Sequence, residues 1–186
     1  LKQSKKESIF LEFQNSVDEF IKNELKCGYT RVRTSPGLVD CRPLKWSGYD
    51  VEPLYTYVIN ISKGIDKVWK NLNRKLRVGI EKTRREGVKV ELGDKKDLDY
   101  LRESLYERFK NQGIKPQKNY YRDYLHDLYD EFYPESMKIF IAKHNGERVG
   151  GLVVLLFKNW SALWIGIPKT EIKGIYPNDL AQWEAI

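Results

Sequence analysis

The sequence predicts a mixed α/β domain with a mainly antiparallel sheet flanked by helices. Three observations predict it. The hydrophobic period alternates between strand-like and helix-like in the order strand, helix, strand, two helices, three strands, helix. The connections among the three late strands are too short for the crossover that a parallel pair needs, so these strands pair antiparallel. Asn145-Gly146 lies between two apolar runs, and this dipeptide suits a two-residue hairpin turn with positive φ at both positions.

Each element follows from its residues. Ile9, Phe10, Phe13, Val17, Phe20, Ile21 and Leu25 form a helical stripe over residues 7–25, and Gly28 follows as a stop. Tyr29 to Arg33 alternates like a strand, and Pro36-Gly37 punctuates it. Residues 38–53 read as a loop. Leu54 to Ile61 is rich in β-branched and aromatic side chains and reads as a strand. From Ile65 to Glu86 the helical period returns, with Ile65, Val68, Trp69, Leu72, Leu76, Ile80 and Thr83 on one face. Lys67, Lys70, Arg74, Arg77, Arg84 and Arg85 lie on or beside the other. Gly87 ends that helix and Val88 to Leu92 is a strand.

Asp94 is placed to cap the next helix, whose core stripe is Leu98, Leu101, Leu105 and Phe109. Gly113 and Pro116 break it. Another helix follows, with Tyr121, Tyr124, Leu125, Leu128 and Phe132 inward and Pro134 beyond its end. Lys138 to Lys143, Val149 to Phe157 and Ser161 to Ile167 are the meander strands. Gly150-Gly151 within the second marks a bulge or a close backbone approach. A loop over residues 168–177 leads to a helix opened by Asn178 or Asp179.

Composition bounds the function. Apolar residues make up 41% of the 186, and aromatics 13%, which is enough for a packed core. Lys and Arg number 33 against 26 acids, and the resulting net charge of +7 favours anionic partners such as phosphates, nucleic acid or acidic lipid surfaces. A basic surface kept for solubility explains the charge equally well. Cys27 and Cys41 have no metal-site spacing and make no disulfide scaffold, so a reducing cytoplasm is expected. No apolar run approaches the roughly 20 residues that span a bilayer, and no stable membrane insertion is expected. The chain begins at Leu1 and ends inside a helical pattern, so both ends read as fragment boundaries.

Three groups of residues carry a family resemblance. The first is Pro36 with Asp40-Cys41-Arg42-Pro43, Trp46, Gly48-Tyr49 and Tyr55-Thr56-Tyr57-Val58-Ile59. The second is Trp69 with Arg77, Ile80, Lys82 and Gly87-Val88-Lys89-Val90. The third is Lys173-Gly174 with Pro177-Asn178-Asp179-Leu180 and Trp183-Glu184-Ala185-Ile186. With the element order, they resemble the FemAB-like branch of the GNAT acyltransferases over nearly the whole chain. The resemblance implies a GNAT-like α/β fold. It implies that residues 1–50 are the tail of a first GNAT-like unit and that residues 51–186 are a second one lacking its last strands. It also implies transfer of an aminoacyl or acyl group to an amine, such as one on a peptidoglycan precursor or another cell-envelope molecule. The donor would be aminoacyl-tRNA, or acyl-CoA, as a substrate; no cofactor is implied. A nucleotide- or lipid-linked envelope precursor would be the acceptor, and oligomeric state is left open.

Acyl transfer to an amine needs a neutral amine, a polarised carbonyl and a fixed geometry. There is no Gly-x-Ser-x-Gly word, and His126 and His144 read as surface or turn residues. Catalysis by positioning, without a covalent intermediate, is the default. By resemblance, Lys173 is the catalytic candidate, stabilising the oxyanion or a tRNA terminal phosphate. Arg74, Arg77 and Lys82 are candidates for binding a diphosphate or carboxylate, because guanidinium and ammonium groups suit phosphate. Tyr121 and Asn178 complete the substrate-binding set; Tyr120 and Tyr124 are further hydroxyl candidates. Each competes with a plain structural role: a solvated helix face for the cations, core packing for the tyrosines. Asp40, Arg42 and Tyr49 read as a structural cluster, or as part of a crevice. The segment Gly174-Ile175-Tyr176-Pro177-Asn178 has one glycine and a proline without an N–H, which departs from a coenzyme A pyrophosphate cradle. The competing classes are a basic nucleic-acid-binding module, a non-catalytic GNAT-like scaffold and an acyl-CoA-dependent N-acetyltransferase.

Overall fold

The computed structural model describes residues 1–38, 40–115, 121–166 and 172–186. Two units divide the chain, residues 1–59 and 60–186.

In the first unit, helix α1 (Gln3–Asn23) is followed by the single turn α2 (Arg42–Trp46). Pro43 sits in the first turn of α2, where its missing N–H costs nothing. Polar side chains tie the two helices. Arg42 pairs with Asp40 at 2.7 Å and with Glu7 on α1. The Tyr49 hydroxyl donates to Asp18, which also accepts from the Gln14 amide at 2.8 Å. Asp40 and Arg42 thus join one polar network within this unit and Tyr49 another. Ile9, Phe13 and Phe20 of α1 are exposed, and Ile9, Phe10 and Phe13 line a shallow cavity of about 320 Å³ with Leu1 and Lys6.

Two expected strands are absent from the described residues. Residues 29–33 and 54–61 form no strand and pair with nothing in a ladder. Tyr29 is 81% exposed and Tyr57 fully so. Strand-forming side chains favour a half-buried pleated surface, and without one their preference has nothing to act on.

The second unit holds the sheet. The helix expected as one piece over 65–86 is two: α3 (Ile65–Asn71) and α4 (Arg74–Arg85). Leu72 and Asn73 leave the helical region, and the Asn73 side chain accepts from the Lys75 N–H at 2.8 Å, capping α4. The apolar period survives the break, since Trp69, Leu72, Leu76 and Ile80 reach the same core. Gly87, with φ of 86°, closes α4 where a left-handed residue is needed.

Strand β1 (Lys89–Leu92) leads to α5 (Lys95–Asn111), which opens with a reciprocal capping box between Asp94 and Asp97. Helix α6 (Arg122–Phe132) precedes the meander β2 (Met137–His144), β3 (Glu147–Phe157) and β4 (Trp160–Gly166), and α7 (Pro177–Glu184) closes the chain. The sheet order is β1-β2-β3-β4, antiparallel throughout. Asn145 and Gly146 turn β2 into β3 with φ of 52° and 83°, as the dipeptide predicts.

A core lies on each face of the sheet. Leu98, Leu101 and Leu105 of α5 and Leu125 of α6 pack on Met137, Ile139, Ile141, Val153 and Ile165. On the other face Ile80 of α4 and Leu180 and Ala181 of α7 pack with Val88, Ala142, Leu152, Val154 and Ile175. The α/β fold with an antiparallel sheet flanked by helices is thus observed, and among the described residues the sheet is wholly antiparallel rather than mixed. The inward face of α6 differs from the expectation. Leu125, Leu128 and Tyr129 face the core, whereas Tyr121, Tyr124 and Phe132 are 48%, 45% and 41% exposed.

Candidate active site

Lys173 sits at the tip of a tight turn just before α7. Ile172 and Ile175 bridge each other through both backbone pairs, at 3.1 and 3.0 Å. Between them Lys173 and Gly174 take φ of 47° and 78°, the paired positive values of a type I′ turn. Glycine enters this region freely, but lysine does so against its Cβ, at a cost of roughly 1–2 kcal/mol. Ile175 is buried and anchors the turn, leaving the Lys173 side chain exposed at its tip.

Two residues of α4 hold this turn. The Lys82 ammonium donates to the Gly174 carbonyl at 3.1 Å. The Thr83 hydroxyl, fully buried, accepts the Tyr176 N–H at 3.1 Å. Lys82 is exposed and keeps further N–H donors. The structure therefore brings Lys82 and the Lys173 turn together. Thr83 was legible only as part of an apolar helical face; a buried hydroxyl on such a face demands a partner, which is the signal that finds it.

The other candidates fall elsewhere. Arg74 is the first residue of α4 and Arg77 lies in its next turn, so they mark the start of the helix. Helical rise puts Arg74 about 12 Å along the axis from Lys82. The half-buried Arg77 donates to the Lys70 carbonyl at 3.3 Å, closing the end of α3. No acid occupies the first turn of α4, and Lys82, Arg84 and Arg85 lie in its last. Cations at both ends make α4 a source of positive potential, and those at its start oppose the helix dipole. Arg84 is engaged by Glu184 of α7 at 2.6 Å.

Asn178 is buried, and its side-chain oxygen accepts the Gly151 N–H at 3.1 Å. A Cβ on Gly150 would lie 2.4 Å from that oxygen. The glycine pair thus admits the N-terminus of α7 to the sheet, which is the close backbone approach the sequence suggested. A register shift of one residue does fall beside it, at Val149. Tyr121 is exposed at the start of α6. Tyr120, Pro116 and residues 168–171 of the expected loop lie outside the described residues.

The histidines have structural partners. His126 shares a 2.9 Å contact with Asp99, which Arg122 also grips at 3.1 and 3.2 Å. His144 meets the Glu86 carbonyl at 3.1 Å beside the end of α4. At the start of α7, Pro177 has no N–H, the Tyr176 N–H is taken by Thr83 and the Asp179 N–H by the Tyr176 carbonyl at 3.1 Å.

The sequence of residues 67–186 matches a family model described as an acetyltransferase (GNAT) domain, which is well over half of the chain. No curated protein matches the sequence. Among solved structures, the crystal structure of FemX shares the fold with a TM-score of 0.58 at 13% identity, over 67% of this chain and 47% of that one. The chain thus spans about half the length of FemX.

Proposed function

The chain belongs to the acetyltransferase (GNAT) domain family, and from that premise we propose that it transfers an aminoacyl or acyl group to an amine. The observation that carries the reading is the Ile172–Ile175 turn, which exposes Lys173 and is held by a second cation, Lys82; its positive φ alone does not mark it, since Lys26 and Lys158 share it.

In this reading the Lys173 ammonium stabilises the oxyanion that develops on the acyl carbonyl as the amine attacks. The carbon–nitrogen bond forms, the bond to the carrier breaks, and the amine proton leaves with the carrier oxygen or sulfur. Lys82 turns its remaining donors to the same substrate, and Arg74 and Arg77 attract the phosphates of a nucleotide- or lipid-linked acceptor. An envelope-precursor amine, reached from the cytoplasm, is the acceptor class this charge favours. Residues 1–50 are then the tail of a first GNAT-like unit. Tyr121 and Asn178 are left with supporting parts: a hydroxyl at the surface and the seating of α7.

The donor is aminoacyl-tRNA in the leading version. Its support is the start of α7, where Pro177 has no N–H and the Tyr176 and Asp179 amides are taken within the protein. Acyl-CoA is the second reading, favoured by the acetyltransferase description of the family. The test supplies the full chain with labelled aminoacyl-tRNA or acyl-CoA and an amine-bearing nucleotide-linked peptide, and follows acyl transfer by mass spectrometry. Transfer from tRNA that is abolished in Lys173→Ala supports the proposal. Saturable micromolar coenzyme A binding contradicts the leading donor. Tight RNA binding with a steep salt slope and no turnover would make the chain a nucleic-acid-binding module instead.

A further inference from the structure

We infer that Thr83 is a positioning residue for Lys173: its buried hydroxyl, with the Lys82 ammonium, locks the Ile172–Ile175 turn in the geometry that presents the Lys173 side chain. The inference rests on the proposed role of Lys173.

The turn is too short to hold itself. It consists of two bridging residues and two residues at positive φ, one of them a lysine that disfavours this region. Left alone, a two-residue turn with a non-glycine at its first position would exchange among conformers. Three contacts oppose that exchange. Ile175 is buried in the α4–α7 core. The Gly174 carbonyl is held by Lys82 at 3.1 Å. The Tyr176 N–H is held by Thr83 at 3.1 Å.

Thr83 differs from Lys82 in kind. Lys82 is exposed, so its contact exchanges with water, and an anionic substrate would compete for its ammonium. Thr83 is wholly buried on α4, so its contact with the Tyr176 N–H is shielded from water. An N–H held by a buried acceptor at the junction of turn and helix fixes both the end of the turn and the start of α7. The two contacts come from adjacent residues, so α4 grips the turn on its exposed side and its buried side together. Substrate arriving at Lys82 would therefore act on a turn whose inner anchor stays in place.

The test compares Thr83→Val, which keeps the shape and loses the acceptor, with Thr83→Ser, which keeps the hydroxyl. Hydrogen exchange by NMR in the full chain reads the turn directly. We expect faster exchange at the Ile172, Ile175 and Tyr176 amides in Thr83→Val, and wild-type protection in Thr83→Ser. In the transfer assay Thr83→Val lowers kcat roughly tenfold to a hundredfold with KM little changed, because a small displacement of a catalytic group is felt at the chemical step. That loss vanishes in a Lys173→Ala background, since nothing is left to position. Unchanged exchange in Thr83→Val overturns the inference. So does an equal loss of kcat with and without Lys173. Where Lys173→Ala turns over too slowly for comparison, hydrogen exchange decides. If Lys173→Ala is as active as wild type, the proposed function falls, while the exchange data still report separately on the clamp.

Discussion

A methyl group added at Gly151 would sit 2.5 Å from the Phe140 carbonyl oxygen and 2.8 Å from Ile141 Cδ1. Backbone cannot give way cheaply, so Gly151→Ala should destabilise by about 1–3 kcal/mol, visible as a lower urea midpoint at unchanged slope. At Gly150 the obstacle is the Asn178 side chain instead. Asn178→Ala frees that space but strips the Gly151 N–H of its acceptor, at about 1–3 kcal/mol. The two changes should therefore couple: Gly150→Ala costs less in an Asn178→Ala background than alone. A double-mutant cycle in urea checks this. The glycine pair announces in the sequence that something approaches the backbone closely. It cannot say what, because the visitor lies 27 residues further on. Thr83 and Tyr176 were hidden for the same reason, being 93 residues apart. Lys173, by contrast, was singled out by resemblance, and its positive φ was not legible because lysine is an unusual choice for that position.

At the scale of elements, local signals were the most readable. The Asp94 cap, the Gly87 stop and the Asn145-Gly146 turn are formed by residues within a few positions of one another, so their chemistry is complete there. The break between α3 and α4 was masked because Asn73 interrupts the helix without interrupting its apolar period. Asn73→Ala should remove the cap and cost about 1 kcal/mol, measured by thermal or urea unfolding. Residues 54–61 show the opposite failure: the side chains suit a strand, but a strand also needs a neighbour. The α5–α6 pairing carries a pH signature. Burial alone would raise the Asp99 carboxyl, but hydrogen bonds from Arg122 and His126 outweigh it and hold its pKa below the usual 3.8. A carboxylate with a lowered folded pKa stabilises above its unfolded pKa and loses that contribution as pH falls through the folded value. The stability advantage of wild type over Asp99→Asn should therefore be full near neutrality and shrink below about pH 4. A gap that stays constant down to pH 2 would contradict the ion pair.

For the whole molecule, family membership rests on residues 67–186, which lie inside the unit 60–186. That unit carries both sheet-face cores, Lys82, Thr83 and the Lys173 turn. Among the described residues no helix is long and apolar enough to cross a membrane. The net charge of +7 is spread over helices with interleaved acids, and several cations are already engaged, Arg84 by Glu184, Arg122 by Asp99 and Arg148 by Asp97. Charge alone therefore explains little of the function, and the turn before α7 bears the weight of the account. The most direct test is acyl transfer by Lys173→Ala against wild type, in the full chain, with melting temperature measured alongside. The account predicts a loss of kcat of roughly a hundredfold or more with the melting temperature little changed, since the lost side chain is exposed and alanine keeps the Cβ that strains the turn. Equal turnover by the two proteins would contradict it.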